Sequence, residues 1–108
     1  MTIFMTEIYV IKPDRLGDFA ACVKNFEAFM KKRPDLFKEV KSHRIFSQVL
    51  GGNWGGYVEM TEVESMADAE KFYTRAMGDK DFMTEVYAKF MDLVVPGTYS
   101  VNIWAPYP

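Results

Sequence analysis

The sequence predicts an α+β protein that forms one domain over residues 1–108, and three observations support this. Alternating apolar runs, which are typical of β-strands, occur near both ends of the chain and in its middle. Two amphipathic helical stretches separate them, each long enough for a crossover between parallel strands. A chain of 108 residues with 49% hydrophobic side chains can also bury one core without disulfide support.

The first half of the chain predicts a strand, a helix and a second strand. Residues 3–11 are rich in β-branched and aromatic side chains and end at a Lys-Pro-Asp sequence, which favours a helix start. Apolar residues then recur every three or four positions over residues 14–32, and Pro34 ends this helix. Residues 39–50 alternate again and therefore predict the second strand.

A glycine-rich connector predicts a β-hairpin in the middle of the chain. The sequence GGNWGG, residues 51–56, joins the second strand to an alternating run over residues 57–63. Four glycines permit a bulge, which leaves the pairing register open by one residue. Trp54 at the tip is a candidate interface anchor, because a Trp exposed at a turn is costly without a partner.

A broken helix and a last strand complete the chain. Ser65 is a suitable N-cap, and apolar residues at helical spacing follow it. Gly78 and Asp79 interrupt this helix, and the spacing resumes over residues 79–94. Residues 98–104 predict the final strand. This order is the ferredoxin-like βαββαβ arrangement, with an antiparallel sheet and both helices on one face.

Strand alternation assigns each side chain to one face of the sheet. On the helix side we expect Phe4, Ile8, Val10, Val58, Met60, Tyr99, Val101 and Ile103. On the outer face we expect Met5, Tyr9, Phe46, Tyr57 and Trp104 around Glu7, Arg44, Glu59 and Asn102. A short hairpin that pairs Gln48 with Tyr57 puts Arg44 on that face, and a one-residue bulge would bring His43 there instead. The predicted outer face is therefore apolar with a charged centre.

A contiguous apolar patch of this kind is seldom left in water, so we expect a second copy of the chain to cover it in a homodimer. A carboxylate or tyrosine there could orient a phenol or enol, and a cation beside it could stabilise the enolate. The catalytic candidates are Glu7, Tyr9, Arg44, Glu59 and, with the shifted register, His43. The ligand-binding candidates are Phe46, Tyr57, Asn102 and Trp104. The competing interpretation is an ion cluster that serves only the interface.

Composition excludes several classes of protein. One Cys and one His rule out a disulfide scaffold and a Cys/His zinc cluster, so we expect no metal site, and we assign no cofactor. A net charge of −2, from 13 basic and 15 acidic residues, does not favour nucleic-acid binding. No apolar run approaches the roughly 20 residues of a membrane span, and no signal peptide is evident. We therefore expect a cytoplasmic protein without a membrane partner.

The chain resembles the dimeric α/β-barrel superfamily. The βαββαβ order, the GGNWGG hairpin, the broken second helix and the segment RAMGDKDFMTEVYAKFMDLVVPGTYSVNIW, residues 75–104, carry this resemblance. The pattern is similar to NIPSNAP-like, EthD-like and antibiotic-biosynthesis-monooxygenase-like small proteins. The resemblance implies two subunits whose sheets pack into a barrel, each with a pocket between its sheet and its helices.

The same resemblance implies a range of activities. Members of the superfamily oxidise aromatic polyketides without a cofactor, degrade haem or isomerise lactones. The haem-degrading members use a helical His as iron ligand, whereas His43 lies in a predicted strand, so that scheme does not transfer. We expect a homodimer that binds a small apolar or aromatic ligand as a cofactor-independent monooxygenase-like or isomerase-like enzyme. The alternative is a non-catalytic dimerisation or assembly module with no small-molecule site.

Overall fold

A computed structural model describes residues 2–52 and 55–108 and shows a four-stranded antiparallel sheet with helices packed on it. The strands are β1 (Ile3–Val10), β2 (Ser42–Ser47), β3 (Gly56–Val63) and β4 (Ser100–Trp104), in the spatial order β2-β3-β1-β4. The helices are α1 (Leu16–Lys32), α2 (Met66–Met77), α3 (Lys80–Phe82) and α4 (Ala88–Met91), and a π-helical segment, Met83–Tyr87, joins α3 to α4. The predicted ferredoxin-like α+β fold is confirmed. The candidate interface anchor Trp54 lies outside the described residues.

Local capping explains where the second helix begins and breaks. The Ser65 hydroxyl accepts the Asp68 amide at 3.2 Å, and the Asp79 carboxylate accepts the Phe82 amide at 2.9 Å. Each contact satisfies one of the free amides at a helix N-terminus. The interruption predicted at Gly78 and Asp79 is therefore confirmed. In the described part of the chain, no helix combines the length and the apolar character that a membrane crossing requires.

The faces of β1 and β3 are the reverse of those predicted. Tyr9, expected on the outer face, is 0% exposed under the helices, whereas Ile8, expected beneath them, is 36% exposed. Glu7 lies opposite Glu59 and Tyr9 lies opposite Tyr57, so both strands turn these residues to the helix side. The prediction was wrong because both alternating sets of β1 are largely apolar, and alternation alone does not choose between them.

The hairpin adopts the alternative register. Ser47, rather than Gln48, lies opposite Tyr57. His43 therefore lies on the helix side of β2, and Arg44 lies on the outer side. The side-chain period of a strand is two residues, so a shift of one residue exchanges the two faces. The predicted pairing of Gln48 with Tyr57, which would place Arg44 beside the carboxylates, was therefore wrong.

Many of the aromatic side chains pack between the sheet and the helices. The Tyr9 ring meets Phe19 of α1 at 6.0 Å and Phe90 of α4 at 4.7 Å, both edge to face. A second cluster joins Phe29 of α1 to Val86 of the π-helical segment. Edge-to-face ring pairs add about 1 kcal/mol each to the burial of their area. The aromatic surplus of the sequence is therefore largely an interior feature.

The outer face of the sheet is apolar and partly uncovered. Phe46 of β2 and Trp104 of β4 are each 46% exposed there. Ile8 of β1, a strand that lies between β2 and β4 in the sheet, is also exposed. The predicted orientation of β4 is confirmed, because Asn102 pairs with Thr6 and Trp104 pairs with Phe4, all on this face. In the described residues the helices thus pack on one face of an open sheet, and apolar side chains of the other face remain partly exposed.

Candidate functional site

A cavity of about 150 Å³ lies between the sheet and the helices. Its wall is mostly apolar and includes six phenylalanines, which are Phe19, Phe26, Phe37, Phe72, Phe82 and Phe90. The sheet supplies a polar wall of four side chains, which are Glu7, His43, Glu59 and Thr61. A cavity of this size holds about one aromatic ring. An apolar cavity with a few convergent polar groups is the usual form of a small-molecule site.

Two carboxylates form the centre of the polar wall. Glu7 on β1 and Glu59 on β3 lie directly opposite each other. The Tyr99 hydroxyl donates a hydrogen bond to Glu7, and the Tyr9 hydroxyl donates to Glu59 Oε1 at 2.9 Å. The second oxygen of Glu59, Oε2, lies 2.8 Å from His43 Nε2. Each carboxylate therefore has its own phenol, and Glu59 also has the imidazole.

The environment of Glu7 changes its acidity. Burial, and in second place the negative charge of Glu59, raise the pKa of Glu7 from 4.5 to about 7. The hydrogen bond from Tyr99 and the charge of His43 act in the opposite direction. Burial also raises the pKa of Tyr9 and of Tyr99, so both phenols remain protonated donors. A carboxyl with a pKa near 7 can both accept and release a proton at neutral pH.

The strand register positions these side chains. Three tyrosine rings form a row across the sheet, in the order Tyr57, Tyr9 and Tyr99. The centroid of the Tyr9 ring lies 6.1 Å from that of Tyr57 and 6.3 Å from that of Tyr99. The interplanar angle is 22° in both pairs, so the three rings stack. The edge of the Phe26 ring packs against the His43 imidazole at 5.0 Å. Packing on both sides thus holds the phenols and the imidazole in place above the carboxylates.

The structure divides the predicted site residues between the two faces of the sheet. The helix side holds Glu7, Tyr9, His43, Tyr57 and Glu59. The outer side holds Arg44, Phe46, Asn102 and Trp104. The expectation that all of them share one surface was therefore wrong. Arg44 lies across the sheet from both carboxylates, which overturns the predicted cluster of Glu7, Arg44 and Glu59.

Several residues of the site were missed from the sequence. Tyr99 was correctly assigned to the helix side, but its role was not recognised because Glu7 had been assigned to the other side. Val86 and Tyr87 reach the cavity wall from the π-helical segment, and nothing in the sequence indicates a π-helical turn there. Such turns often occur at functional sites. The signal that points to the contact between Tyr99 and Glu7 is the shared face of β1 and β4, because Tyr99 lies on the helix side together with Glu7.

The other reactive groups add little chemistry. Cys22 of α1 lines the cavity, and burial raises the pKa of its thiol, which disfavours the reactive thiolate. Within residues 2–52 and 55–108, no group of three or more His, Cys, Asp and Glu side chains is arranged to hold a metal ion. The chemistry of the wall therefore rests on carboxylate, phenol and imidazole.

The fold and the cavity together define a ferredoxin-like α+β protein with a ligand-sized space between its helices and its sheet. No protein-family model and no curated protein matches the sequence. Solved structures do match. A NIPSNAP family protein from Agrobacterium tumefaciens has a TM-score of 0.75 and 15% identity, over 99% of this chain and 94% of that one.

Two further structures have the same fold. A NIPSNAP-like domain protein from Burkholderia xenovorans has a TM-score of 0.73 and 19% identity, over 98% of this chain and 85% of that one. A dimeric protein of unknown function with a ferredoxin-like fold, from Bacteroides fragilis, has a TM-score of 0.63 and 6% identity, over 95% and 94% of the two chains. The structural neighbours thus include NIPSNAP family proteins, as the sequence resemblance predicted. At these identities the likeness concerns the fold alone.

Proposed function

We propose that the chain binds a small apolar or aromatic molecule in the cavity between sheet and helices and catalyses proton transfer on it, as an isomerase-like enzyme. The observation that carries the proposal is the Glu7 carboxyl, which lies on the wall of an apolar cavity with a pKa of about 7. General acid–base catalysis is most efficient when the pKa of the catalytic group is near the working pH.

The proposed step needs only groups of this chain. Glu7, as carboxylate, takes a proton from a carbon next to the ligand's carbonyl. The electron pair of that C–H bond forms a C=C bond, and the π pair of the carbonyl moves to its oxygen, which gives an enolate. Where the ligand carries a further C=C bond conjugated with the enolate, return of the proton from Glu7 to the far carbon of that bond completes an isomerisation. A monooxygenase-like reaction would begin with the same deprotonation and would then need dioxygen as a further reactant.

Glu59 acts in this scheme as a positioning residue. Tyr9 and His43 hold its two oxygens by contacts of 2.9 and 2.8 Å. Its fixed negative charge raises the pKa of Glu7. Glu59 therefore keeps Glu7 a stronger base than an ordinary glutamate.

Exchange of ligand protons with solvent tests the proposal directly. A small ketone such as 2-tetralone in D₂O is followed by NMR, and the wild-type protein should accelerate loss of its α-protons. Glu7→Gln should reduce that acceleration by about 100-fold or more. Glu62→Gln is the matched control, since Glu62 is on β3 but pairs with Phe4 on the outer side. Equal exchange rates for the two variants, or none above background for the wild type, would contradict the proposal.

A homodimer through the outer sheet face is a second, compatible proposal. Ile8, Phe46 and Trp104 leave apolar surface exposed on that face, and a second copy would bury it. The Bacteroides fragilis protein of the same fold is described as dimeric. Because the cavity lies on the other side of the sheet, dimer formation leaves it accessible. A dimer without any ligand is the assembly-module alternative.

Light scattering on the purified chain tests the dimer. For the wild type we expect twice the mass of one chain. For Ile8→Lys we expect the mass of one chain, since a lysine buried in the centre of a packed sheet face is costly. The circular dichroism spectrum of the variant should be unchanged. Leu50→Lys is the control, because Leu50 is 90% exposed in the hairpin loop. A wild-type protein that remains monomeric at micromolar concentration would refute the dimer and leave the cavity proposal standing.

A further inference from the structure

The charges around the cavity are unevenly distributed. The sequence has 13 lysines and arginines, yet among the described lining residues none is a lysine or an arginine. The cavity wall instead carries the carboxylates of Glu7 and Glu59 and one imidazole, that of His43. An ordinary apolar pocket has no need of two acids side by side, and like charges placed directly opposite on neighbouring strands are destabilising.

Two arginines of the helical layer are held in ion pairs away from the cavity wall. Arg75 of α2 binds both oxygens of Glu39, at 2.6 and 2.7 Å. Arg33, at the end of α1, contacts Asp79 at 2.9 Å and Asp81 at 3.2 Å. None of these paired residues lines the cavity, and His43 is the only basic side chain among its described lining residues.

The hydrogen bonds of the cavity wall also indicate which kind of ligand it suits. The two phenols, of Tyr9 and Tyr99, already donate to the carboxylates. A carboxylate has about four acceptor positions, so Glu7 and Glu59 keep free lone pairs. The wall is therefore rich in acceptors, and a ligand that donates suits it better than a ligand that accepts.

We propose that the ligand of this cavity is an apolar or aromatic molecule with one protonated nitrogen, such as an amine or an iminium. An ammonium group donates up to three hydrogen bonds and accepts none, and its charge would offset the repulsion between Glu7 and Glu59. The phenylalanine faces of the wall also favour a cation through its attraction to aromatic rings. An anionic ligand, by contrast, would add a third negative charge to the same space. The inference rests on the proposed function, since it concerns the same cavity.

A cationic ligand would change the protonation of Glu7. Glu7 interacts with four titratable groups, which are Glu59, His43, Tyr99 and Tyr9. Three more titratable groups line the same cavity, which are Cys22, Tyr73 and Tyr87. A positive charge between the carboxylates favours the ionised form and lowers the pKa of Glu7 from about 7. Binding of a cation near neutral pH should therefore release protons, and binding of a neutral ligand should not.

Three probes of nearly equal size test the proposal by titration calorimetry on the wild-type protein at pH 7. They are benzylamine, which is cationic, benzyl alcohol, which is neutral, and benzoate, which is anionic. We expect benzylamine to bind about 10-fold or more tightly than benzyl alcohol, as for a hydrogen bond to a charged partner, and benzoate to bind weakest. Repetition in buffers of different ionisation enthalpy should show proton release with benzylamine alone.

The outcomes separate this inference from the proposal on which it rests. Equal affinity for benzylamine and benzyl alcohol would overturn the amine inference and leave the cavity as a binding site. Failure of all three probes to bind would contradict the binding site itself. Glu7→Gln should reduce the preference for benzylamine to a few-fold, while Glu62→Gln should keep the wild-type preference. A preference unchanged in both Glu7→Gln and Glu59→Gln would also overturn the inference.

Discussion

Glu7 and Glu59 lie directly opposite each other on β1 and β3, and both carboxylates face the same apolar cavity. The arrangement is unfavourable for folding, because two like charges share a buried surface. A hydrogen bond from a tyrosine hydroxyl stabilises each carboxylate. Tyr99 donates to Glu7, and Tyr9 donates to Glu59. The pair therefore makes folding stability depend on pH near neutrality.

Folding stability should fall as pH rises through neutrality. The pKa of Glu7 is about 7 in the folded protein and near 4.5 when unfolded, so the folded state holds the proton more tightly. The stabilisation that follows is complete below about pH 4.5 and is lost as pH rises through about 7. The loss amounts to up to about 3 kcal/mol, measured by urea unfolding from pH 5 to pH 8.

Glu7→Gln should remove that dependence. Glutamine resembles the protonated acid and can still accept from Tyr99, so the variant should be more stable than the wild type at pH 8 and nearly equal at pH 5. Both proteins should lose stability below about pH 4, since ion pairs hold the pKa of Asp35 and of Glu39 below the usual range. Parallel curves for the variant and the wild type between pH 5 and pH 8 would show that Glu7 does not titrate there.

Removal of the Tyr9 hydroxyl should destabilise the fold. Tyr9 is fully buried and donates to Glu59 at 2.9 Å, so Tyr9→Phe leaves a carboxylate oxygen without its donor. We expect a loss of about 1–3 kcal/mol in urea unfolding. Tyr99→Phe is the comparison. The hydrogen bond from Tyr99 lowers the pKa of Glu7, so its loss should shift the variant's curve of stability against pH to higher pH. A Tyr9→Phe protein as stable as the wild type would show that the buried contact contributes nothing.

The N-cap of α3 should contribute more to folding stability than the ion pairs around it. Asp79 accepts the Phe82 amide and also pairs with Arg33, whereas Asp81 only pairs with Arg33. We expect Asp79→Ala to lower the melting temperature by about 5 °C, as the loss of an N-cap does, and Asp81→Ala to lower it by less. Hydrogen exchange of the α3 amides should rise in the first variant only. Equal effects of both substitutions would assign the stability to the ion pairs instead.

Thr6 offers a stabilising substitution. It is 0% exposed on the outer side of β1, and its hydroxyl oxygen has no hydrogen-bond partner among the described residues. Valine has the same shape as threonine and lacks the unpaired hydroxyl. Thr6→Val should therefore raise the free energy of unfolding by about 1 kcal/mol. Thr6→Ser keeps the hydroxyl and loses the methyl group, so it should lower the stability. A fall with Thr6→Val would indicate that the hydroxyl is satisfied in solution.

The order of elements and the break in the second helix were predictable because their signals are local. Ser65 and Asp79 cap helices in the structure as their positions in the sequence indicate. Glu7, Tyr9 and Glu59 were candidates from the sequence, and the structure brings them together on the helix side of the sheet and not on the predicted outer face. Their companion Tyr99 was missed, because a contact between residues 92 positions apart leaves no trace in local spacing.

The sequence by itself determined the βαββαβ order, since strand alternation, helical spacing, caps and prolines act within a few residues of one another. Tertiary packing alone decided which face of β1 lies under the helices, because both faces are apolar and only contacts such as Tyr9 with Phe90 distinguish them. Packing also chose the hairpin register that brings His43, and not Arg44, to the carboxylates. A shift of one residue exchanges the faces of a strand, so the chemistry of the cavity was settled by the tertiary structure.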